Sequence, residues 1–263
     1  MQSERKPKLP SRSRTANVKS FARGLQVIKT MAQKQVPLTI TEVADCTGLT
    51  RAGARRLLLT LQESGYARLD GRHFSLTPRI MELGSSYSSL DSVWSVTERH
   101  LRELVDDINE TVSAGMLDDL DVVYVLRQRT ARPLHFDIRT GSRLPAHITS
   151  IGRVLLADLH PRQLERYFQR AVIERYTTMT ITEPKKLRAE IEAAREKGYA
   201  LVRGEVDEGV CGVAVPLRER SGRVIAAIGV GLASARTSER EIIGRILPRM
   251  RATVDSINRQ MNT

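Results

Sequence analysis

The stretch from residue 39 to residue 76 constrains this chain more than any other. Thr39 and Glu42 have the spacing of a capping box, which starts a short helix with Ile40, Val43 and Ala44 turned inward. Gly48 supplies the left-handed residue that ends it, and Leu49 can plug the corner. Thr50 is an N-cap for a second helix, in which Ala54, Leu57, Leu58 and Leu61 follow the i, i+3, i+4, i+7 spacing of one buried face. Ala52, Arg55 and Arg56 fall on the opposite face, with Arg51 at its margin. Gly65 closes that helix, and Asp70-Gly71 then suits the positive φ angles of a type I′ hairpin. Pairing across the hairpin puts Ala67, Leu69, Phe74 and Leu76 on one face, Arg68 and His73 on the other, and Arg72 beside the tip. The pattern predicts a winged helix-turn-helix with a basic recognition helix. The blander alternative is a small helical domain with a solvated basic face.

The charge distribution favours the first reading. Residues 1–90 hold 15 Lys/Arg and 6 Asp/Glu, a net of +9, whereas residues 91–263 hold 27 and 24, a net of only +3. The excess of positive charge sits where phosphate contact is expected. Residues 1–17 are polar and basic and read as a disordered arm. That arm lacks the apolar core of a secretory signal, and no apolar run is long enough to span a bilayer. Cys46 and Cys211 are far apart, which suits a reducing cytoplasm and no disulfide framework. No membrane partner is expected.

A first helix is expected after Ser20, with Phe21, Leu25, Ile28 and Met31 or Ala32 inward. Residues 18–77 then make up the winged domain. Thr77-Pro78 opens a linker helix over 78–91 with Ile80, Leu83, Tyr87 and Leu90 in one stripe, packed either on a second copy or on its own domain. Residues 92–263 form a second domain. Trp94, Thr97, Leu101, Leu104, Val105 and Ile108 define its opening helix. Period-two segments at 112–118, 121–128, 134–139, 199–203, 210–217 and 223–230 then read as strands. Helices are expected from about 148 to 159, after Pro161, over 182–197 and from a capping box at Ser238 and Glu241. The order suggests an α+β ligand-sensing domain with an antiparallel sheet.

The usual catalytic signatures are missing: no nucleophile elbow, phosphate-binding glycine loop or His-Glu-x-x-His. The five histidines lack close metal-ligand spacing, so neither metal nor cofactor is expected. Glu205, Asp207 and Glu208 read as a solvated loop rather than an acid pair. The chain is not expected to be an enzyme. A catalytic domain fused to a DNA-binding one is one alternative. An architectural DNA-binding protein without effector is another. A helix starting near Thr149 would present the backbone N–H groups of Ser150 and Ile151, where its dipole favours an anion.

Residues 39–83 resemble the winged domain of the IclR-type bacterial transcription regulators. Leu144-Pro145-Ala146-His147-Ile148-Thr149-Ser150-Ile151-Gly152-Arg153 and Glu208-Gly209-Val210-Cys211-Gly212-Val213-Ala214-Val215-Pro216 resemble two motifs of their effector domain. Val18-Lys19-Ser20-Phe21-Ala22-Arg23-Gly24-Leu25 and Val122-Val123-Tyr124-Val125 are similar to the branch regulating catabolism of protocatechuate, 4-hydroxybenzoate and related aromatic acids. The resemblance implies a GAF-like effector-binding domain and a homodimer, or dimer of dimers, on a palindromic operator. It also implies a small organic acid effector and possible contact with RNA polymerase. DNA contacts are expected from Thr50, Arg51, Ala52, Arg55, Arg56, Arg68, Arg72 and His73. The resemblance places the effector at Ser150 and Ile151, with Phe136, Leu144, Val210, Gly212, Gly229 and Gly231 as lining. His147, Arg203 and Cys211 are nearby polar candidates that could equally be structural. Glycine at 229 and 231 suggests room for a large ligand such as an aromatic acid, or else close packing within a strand.

Overall fold

This computed structural model describes residues 18–85, 93–130 and 138–261. The chain divides into two compact units, residues 1–87 and 88–263.

The first unit runs α1 (Lys19–Lys34), β1 (Leu38–Thr39), α2 (Ile40–Thr47), α3 (Arg51–Glu63), β2 (Ala67–Asp70) and β3 (His73–Leu76). The capping box is present: Thr39 N–H donates to Glu42 Oε2 at 2.7 Å, and Glu42 N–H to Thr39 Oγ1 at 3.3 Å. Gly48 ends α2 at φ 68°, a conformation that disfavours a side chain. Val27, Met31, Leu38, Val43, Ala44, Ala54, Leu58 and Phe74 form one core; Phe21 and Leu25, expected inward, are exposed, because Val27 and Met31 set the buried face of α1. β1, β3 and β2 make a small antiparallel sheet in that order.

The wing differs from expectation in its turn. Asp70 pairs with His73, so the two loop residues are Gly71 and Arg72, one position later than the sequence suggested. Gly71 has φ 58°, while Arg72 stays at negative φ, so the type I′ expectation fails. Ala67 now pairs with Leu76 and Leu69 with Phe74, so these four residues still share one face, but Leu69 is 42% exposed rather than packed.

Of the linker helix expected over 78–91, residues 78–85 are described. Pro78–Met81 is a 3₁₀ turn, and α4 (Glu82–Ser85) continues it. Tyr87 and Leu90 lie outside the described residues. Thr77 Oγ1 donates to Gly65 O at 2.6 Å and Arg79 to Ser64 O at 3.2 Å, so the turn is fastened to the end of α3. Leu83 remains 59% exposed.

The second unit opens with α5 (Val93–Ile108), followed by β4 (Thr111–Asp118), β5 (Asp121–Gln128) and β6 (Arg143–Pro145). A 3₁₀ turn (Ala146–Ile148) leads into α6 (Ser150–Asp158), α7 (Pro161–Arg170) and α8 (Pro184–Lys197). Then come β7 (Ala200–Arg203), β8 (Val210–Arg218), β9 (Val224–Ala233), α9 (Glu239–Glu241), a π-helical turn (Ile242–Ile246) and α10 (Leu247–Met261). The strands form one antiparallel sheet in the order β6-β5-β4-β9-β8-β7. Of the strand expected at 134–139, residues 134–137 lie outside the described residues and Ile138 and Arg139 are not in a strand; β6 pairs with β5 over Asp121–Val123.

Both faces of this sheet are covered. Leu101, Leu104, Met250, Val254 and Ile257 of α5 and α10 pack with Val213, Val215, Ile228 and Val230. Ile151, Val154 and Leu155 of α6, with Leu187 and Ile191 of α8, pack with Val122, Ala214 and Ala227. Successive strand residues thus feed opposite layers, and both layers must be apolar. No helix among the described residues is long and apolar enough to cross a membrane.

Candidate functional site

The recognition helix presents charge by default of everything else. Ala54 and Leu58 are fully buried, which turns Arg51, Ala52, Arg55 and Arg56 to solvent. Thr50 Oγ1 accepts the Gly53 N–H at 3.1 Å and fixes the first turn. None of the three guanidiniums has an acidic partner among the described residues, so each remains available to an anion. On the wing, Arg68, Arg72 and His73 are exposed, and Arg68 donates to Ser75 Oγ at 3.0 Å.

In the second unit, the first turn of α6 closes one side of an open-mouthed cavity over the sheet. Three glycines let the helix come so close. A Cβ at Gly229 would lie 2.6 Å from Ile151 Cγ1, one at Gly115 2.8 Å from Ile151 Cγ2, and one at Gly212 2.9 Å from Ser150 Oγ. Gly152 is required by the backbone itself, since its Cβ would collide with the Ala146 carbonyl. Thr149 caps α6 by accepting the Gly152 N–H at 2.9 Å. No hydrogen bond is made to the N–H groups of Ser150 and Ile151 among the described residues, so two donors remain at the positive end of the helix.

The other polar wall comes from β4 and β5. Ser113 pairs with Arg127 and Gly115 with Tyr124, so β5 carries one extra residue between these pairs. This bulge re-aims the strand: Arg127 comes to the same face as Tyr124, where strict alternation would have put it opposite. Arg127 Nη1 donates to Ser113 Oγ at 3.2 Å. Tyr124 is 5% exposed, and burial pushes its phenol up to about 12 against the lowering influence of Arg127. Most of the remaining wall is apolar, including Ile138, Leu144, Ile148, Val202, Val206 and Val210.

Of the residues named from the sequence, Leu144, Ser150, Ile151, Val210, Cys211, Gly212, Gly229 and Gly231 line this cavity. Phe136 lies outside the described residues. His147 and Arg203 do not line it. Arg203 donates to the carbonyls of Ser234 and Thr237, both at 3.2 Å, and holds the chain beyond β9. His147 is buried against Tyr167, whose hydroxyl accepts the His147 N–H and lies 3.1 Å from Nδ1. Nε2 of the same ring is buried with no partner. Burial, helped by Arg153, pulls the His147 pKa down to about 4. Burial also raises the Cys211 thiol.

The expectation of a solvated acidic loop fails at Glu205, which is 4% exposed and lines the cavity. Its carboxylate meets Arg153 Nη2 at 2.6 Å and accepts the Ile181 N–H at 3.0 Å. Arg153, 2% exposed, also donates from Nε to the His147 carbonyl at 3.1 Å. One buried ion pair thus ties α6, the turn before it and the segment after β7 together behind the cavity. Sequence reasoning also missed Ser113, Tyr124 and Arg127. The only signal for them was a serine, a tyrosine and an arginine in apolar strands. Among the described residues no group of three or more His, Cys, Asp or Glu could hold a metal ion.

A winged helix-turn-helix followed by an α+β unit with an apolar, donor-bearing cavity defines a ligand-sensing DNA-binding regulator. Comparison with known proteins makes this specific. Residues 20–71 match the IclR helix-turn-helix domain, and residues 86–259 match the bacterial transcriptional regulator IclR C-terminal domain. The chain is 36% identical over 230 residues to the Pca regulon regulatory protein of Pseudomonas putida, covering 87% of this chain and 79% of that one. It is 31% identical over 245 residues to the p-hydroxybenzoate hydroxylase transcriptional activator of Acinetobacter baylyi, covering 91% and 90%. A solved transcriptional regulator from Rhodococcus sp. RHA1 superposes with a TM-score of 0.83 at 40% identity, covering 93% and 98%. The chain belongs to the IclR family of bacterial transcriptional regulators.

Proposed function

We propose that this regulator binds operator DNA as a homodimer and alters that binding when an aromatic carboxylic acid enters the cavity of its C-terminal unit, so controlling genes of aromatic-compound breakdown. The observation that carries the ligand half is the composition of the cavity wall. Arg127 and the N–H groups of Ser150 and Ile151 offer charge and donors to a carboxylate, while Ile138, Leu144, Val202, Val206 and Val210 offer only apolar surface to the rest of the ligand. A small hydroxylated acid would leave that surface unused; a ring covers it. The names of the two relatives, a Pca regulon regulator and a p-hydroxybenzoate hydroxylase activator, support the same ligand class.

On the DNA side, Arg51, Arg55 and Arg56 enter the major groove, where Ala52 can meet a thymine methyl and Thr50 a phosphate. Arg68, Arg72 and His73 of the wing meet phosphate or the minor groove. The exposed Leu83 and Met81, with Phe21 and Leu25 exposed on α1, supply apolar surface for a second copy. A thermal-shift screen with aromatic and aliphatic acids tests the ligand half, because a ligand bound only by the folded state raises its apparent stability. Aromatic acids should raise the transition and Arg127→Met should abolish the rise. A response confined to short aliphatic acids would reject the reading.

A further inference from the structure

We infer that Gly53 sets how closely DNA seats on the recognition helix, its bare Cα taking a sugar–phosphate strand that a side chain would hold off. The inference rests on the reading of α3 as the helix that enters the major groove, and adds a residue that reading did not use. Gly53 lies in the first turn of α3, helical and half-buried, so no left-handed backbone asks for glycine there. Glycine inside a helix is less stable than alanine, because it has more backbone freedom to lose. Among the described residues nothing offsets that cost. A Cβ at Gly53 would meet only Thr50 Oγ1, at 3.2 Å. That hydroxyl accepts the Gly53 N–H as the cap of the helix.

Two other threonine-capped helices show what the same position tolerates and what a glycine there can do. In α2 the residue three after the cap is Glu42, whose N–H also bonds to the capping hydroxyl of Thr39. A side chain at that position is therefore compatible with the cap. In α6 it is Gly152, where a Cβ would collide with the Ala146 carbonyl, so glycine admits another backbone against the helix. Gly53 offers the same bare surface, with no backbone of the described residues against it. Its place on α3 says what comes there. At roughly 100° per residue, Gly53, Arg56 and Thr60 follow one flank, between the buried Ala54 and Leu58 and the outward Ala52 and Arg55. The first turn of a recognition helix goes into the groove, so its outward residues face base edges and its flank faces the strand that walls the groove. Sugar and phosphate carry no sequence, but only a correctly read site lets the helix seat fully against them. Gly53 thereby raises the advantage of the operator over other DNA.

Gly53→Ala tests this on the full chain, with two probes: the duplex that the wild type selects from a random-sequence pool, and a scrambled duplex of the same length. The variant should melt about 4 °C higher in calorimetry, since alanine is the better helix former. It should bind the selected duplex at least about tenfold more weakly by fluorescence anisotropy, as an added methyl does in a close-packed contact. Affinity for the scrambled duplex, and the slope of binding against salt, should stay as in the wild type because no cation is lost. Undiminished affinity for the selected duplex overturns the inference. So does a lower melting transition, which would give the glycine to the cap, an equal loss on both duplexes, or altered sedimentation, which would give it to a second copy. Replacing Arg55 and Arg56 by alanine separates the two levels. If that change weakens binding while Gly53→Ala does not, only Gly53 loses its role; if it leaves affinity native, the groove reading of α3 fails as well.

Discussion

Removing the carboxylate of Glu205 should destabilise the C-terminal unit severely and out of proportion to its size. Glu205 and Arg153 are 4% and 2% exposed, so solvent does not screen their contact at 2.6 Å. Glu205→Ala leaves the guanidinium buried with the His147 carbonyl at 3.1 Å, and the half-exposed Glu190 at 3.9 Å, as its remaining neighbours. Breaking such a pair costs about 3–5 kcal/mol, because a buried charge is left uncompensated. The Ile181 N–H loses its acceptor as well, adding about 1 kcal/mol. For a unit of this length each kcal/mol moves the melting temperature by about 2–4 °C, so a fall of about 10 °C is expected in calorimetry. Arg153→Met combined with Glu205→Gln should recover much of the loss, since both charges go and the glutamine still accepts from Ile181. The equally short pair Arg170–Asp119, with side chains 59% and 55% exposed, is the control; Asp119→Asn should leave the transition almost unmoved, because solvent screens that contact. A change under about 2 °C for Glu205→Ala, or a double variant less stable than the single one, would refute the reasoning.

Gly229→Val places atoms where Ile151 already is, a Cβ at 2.6 Å from Cγ1, and should cost about 1–3 kcal/mol of overpacking. It should also abolish effector binding by titration while leaving operator affinity intact, and native binding by the variant would contradict the close approach of α6. Replacing Arg55 and Arg56 by alanine should weaken operator binding by about 1–3 kcal/mol for each guanine that the pair reads, and Arg72→Ala on the wing should weaken binding to all sequences and flatten its salt dependence; both are read from operator titrations at several salt concentrations. For His147 the folded pKa of about 4 lies below the ordinary 6.5. The unfolded chain therefore binds more protons between these values, and the contribution is full above 6.5 and lost as pH falls toward 4. At pH 5 the loss should be about 2 kcal/mol relative to about pH 7.5. His147→Asn, measured by denaturant unfolding at both pH values, should show a loss smaller by that amount.

How much was legible in the sequence depends on the range of the interaction. The capping box at Thr39 and Glu42, the left-handed Gly48 and the cap at Thr50 are all local, and each forms where the residue types put it. The wing turn slipped by one residue because Asp70-Gly71 and Gly71-Arg72 differ locally only in which residue takes positive φ, and pairing with β1 decides the matter. The position of Arg127 was hidden for a similar reason. A period-two reading assumes no bulge, and the bulge on β5 follows from its pairing with β4. Glu205 was misread because its partner Arg153 is 52 residues away, and loop composition alone favours solvent. Gly229 admitted two readings, space for a ligand or close packing. The structure shows the close packing, since Ile151 rests on Gly229, which also lies in the cavity wall.

Thermodynamic linkage between the two units is the most direct test of a regulator controlled through this cavity. Fluorescence anisotropy of labelled operator DNA, titrated with the protein with and without saturating 4-hydroxybenzoate, should show operator affinity changed by about 5- to 150-fold. Titration of the acid into the protein alone and into the protein–operator complex should give the same factor, because coupling between two binding equilibria is reciprocal. Arg127→Met should bring both factors to one without altering operator affinity in the absence of the acid. An acid that binds with identical affinity to free and DNA-bound protein, and leaves the operator curve unmoved, would contradict control through the cavity.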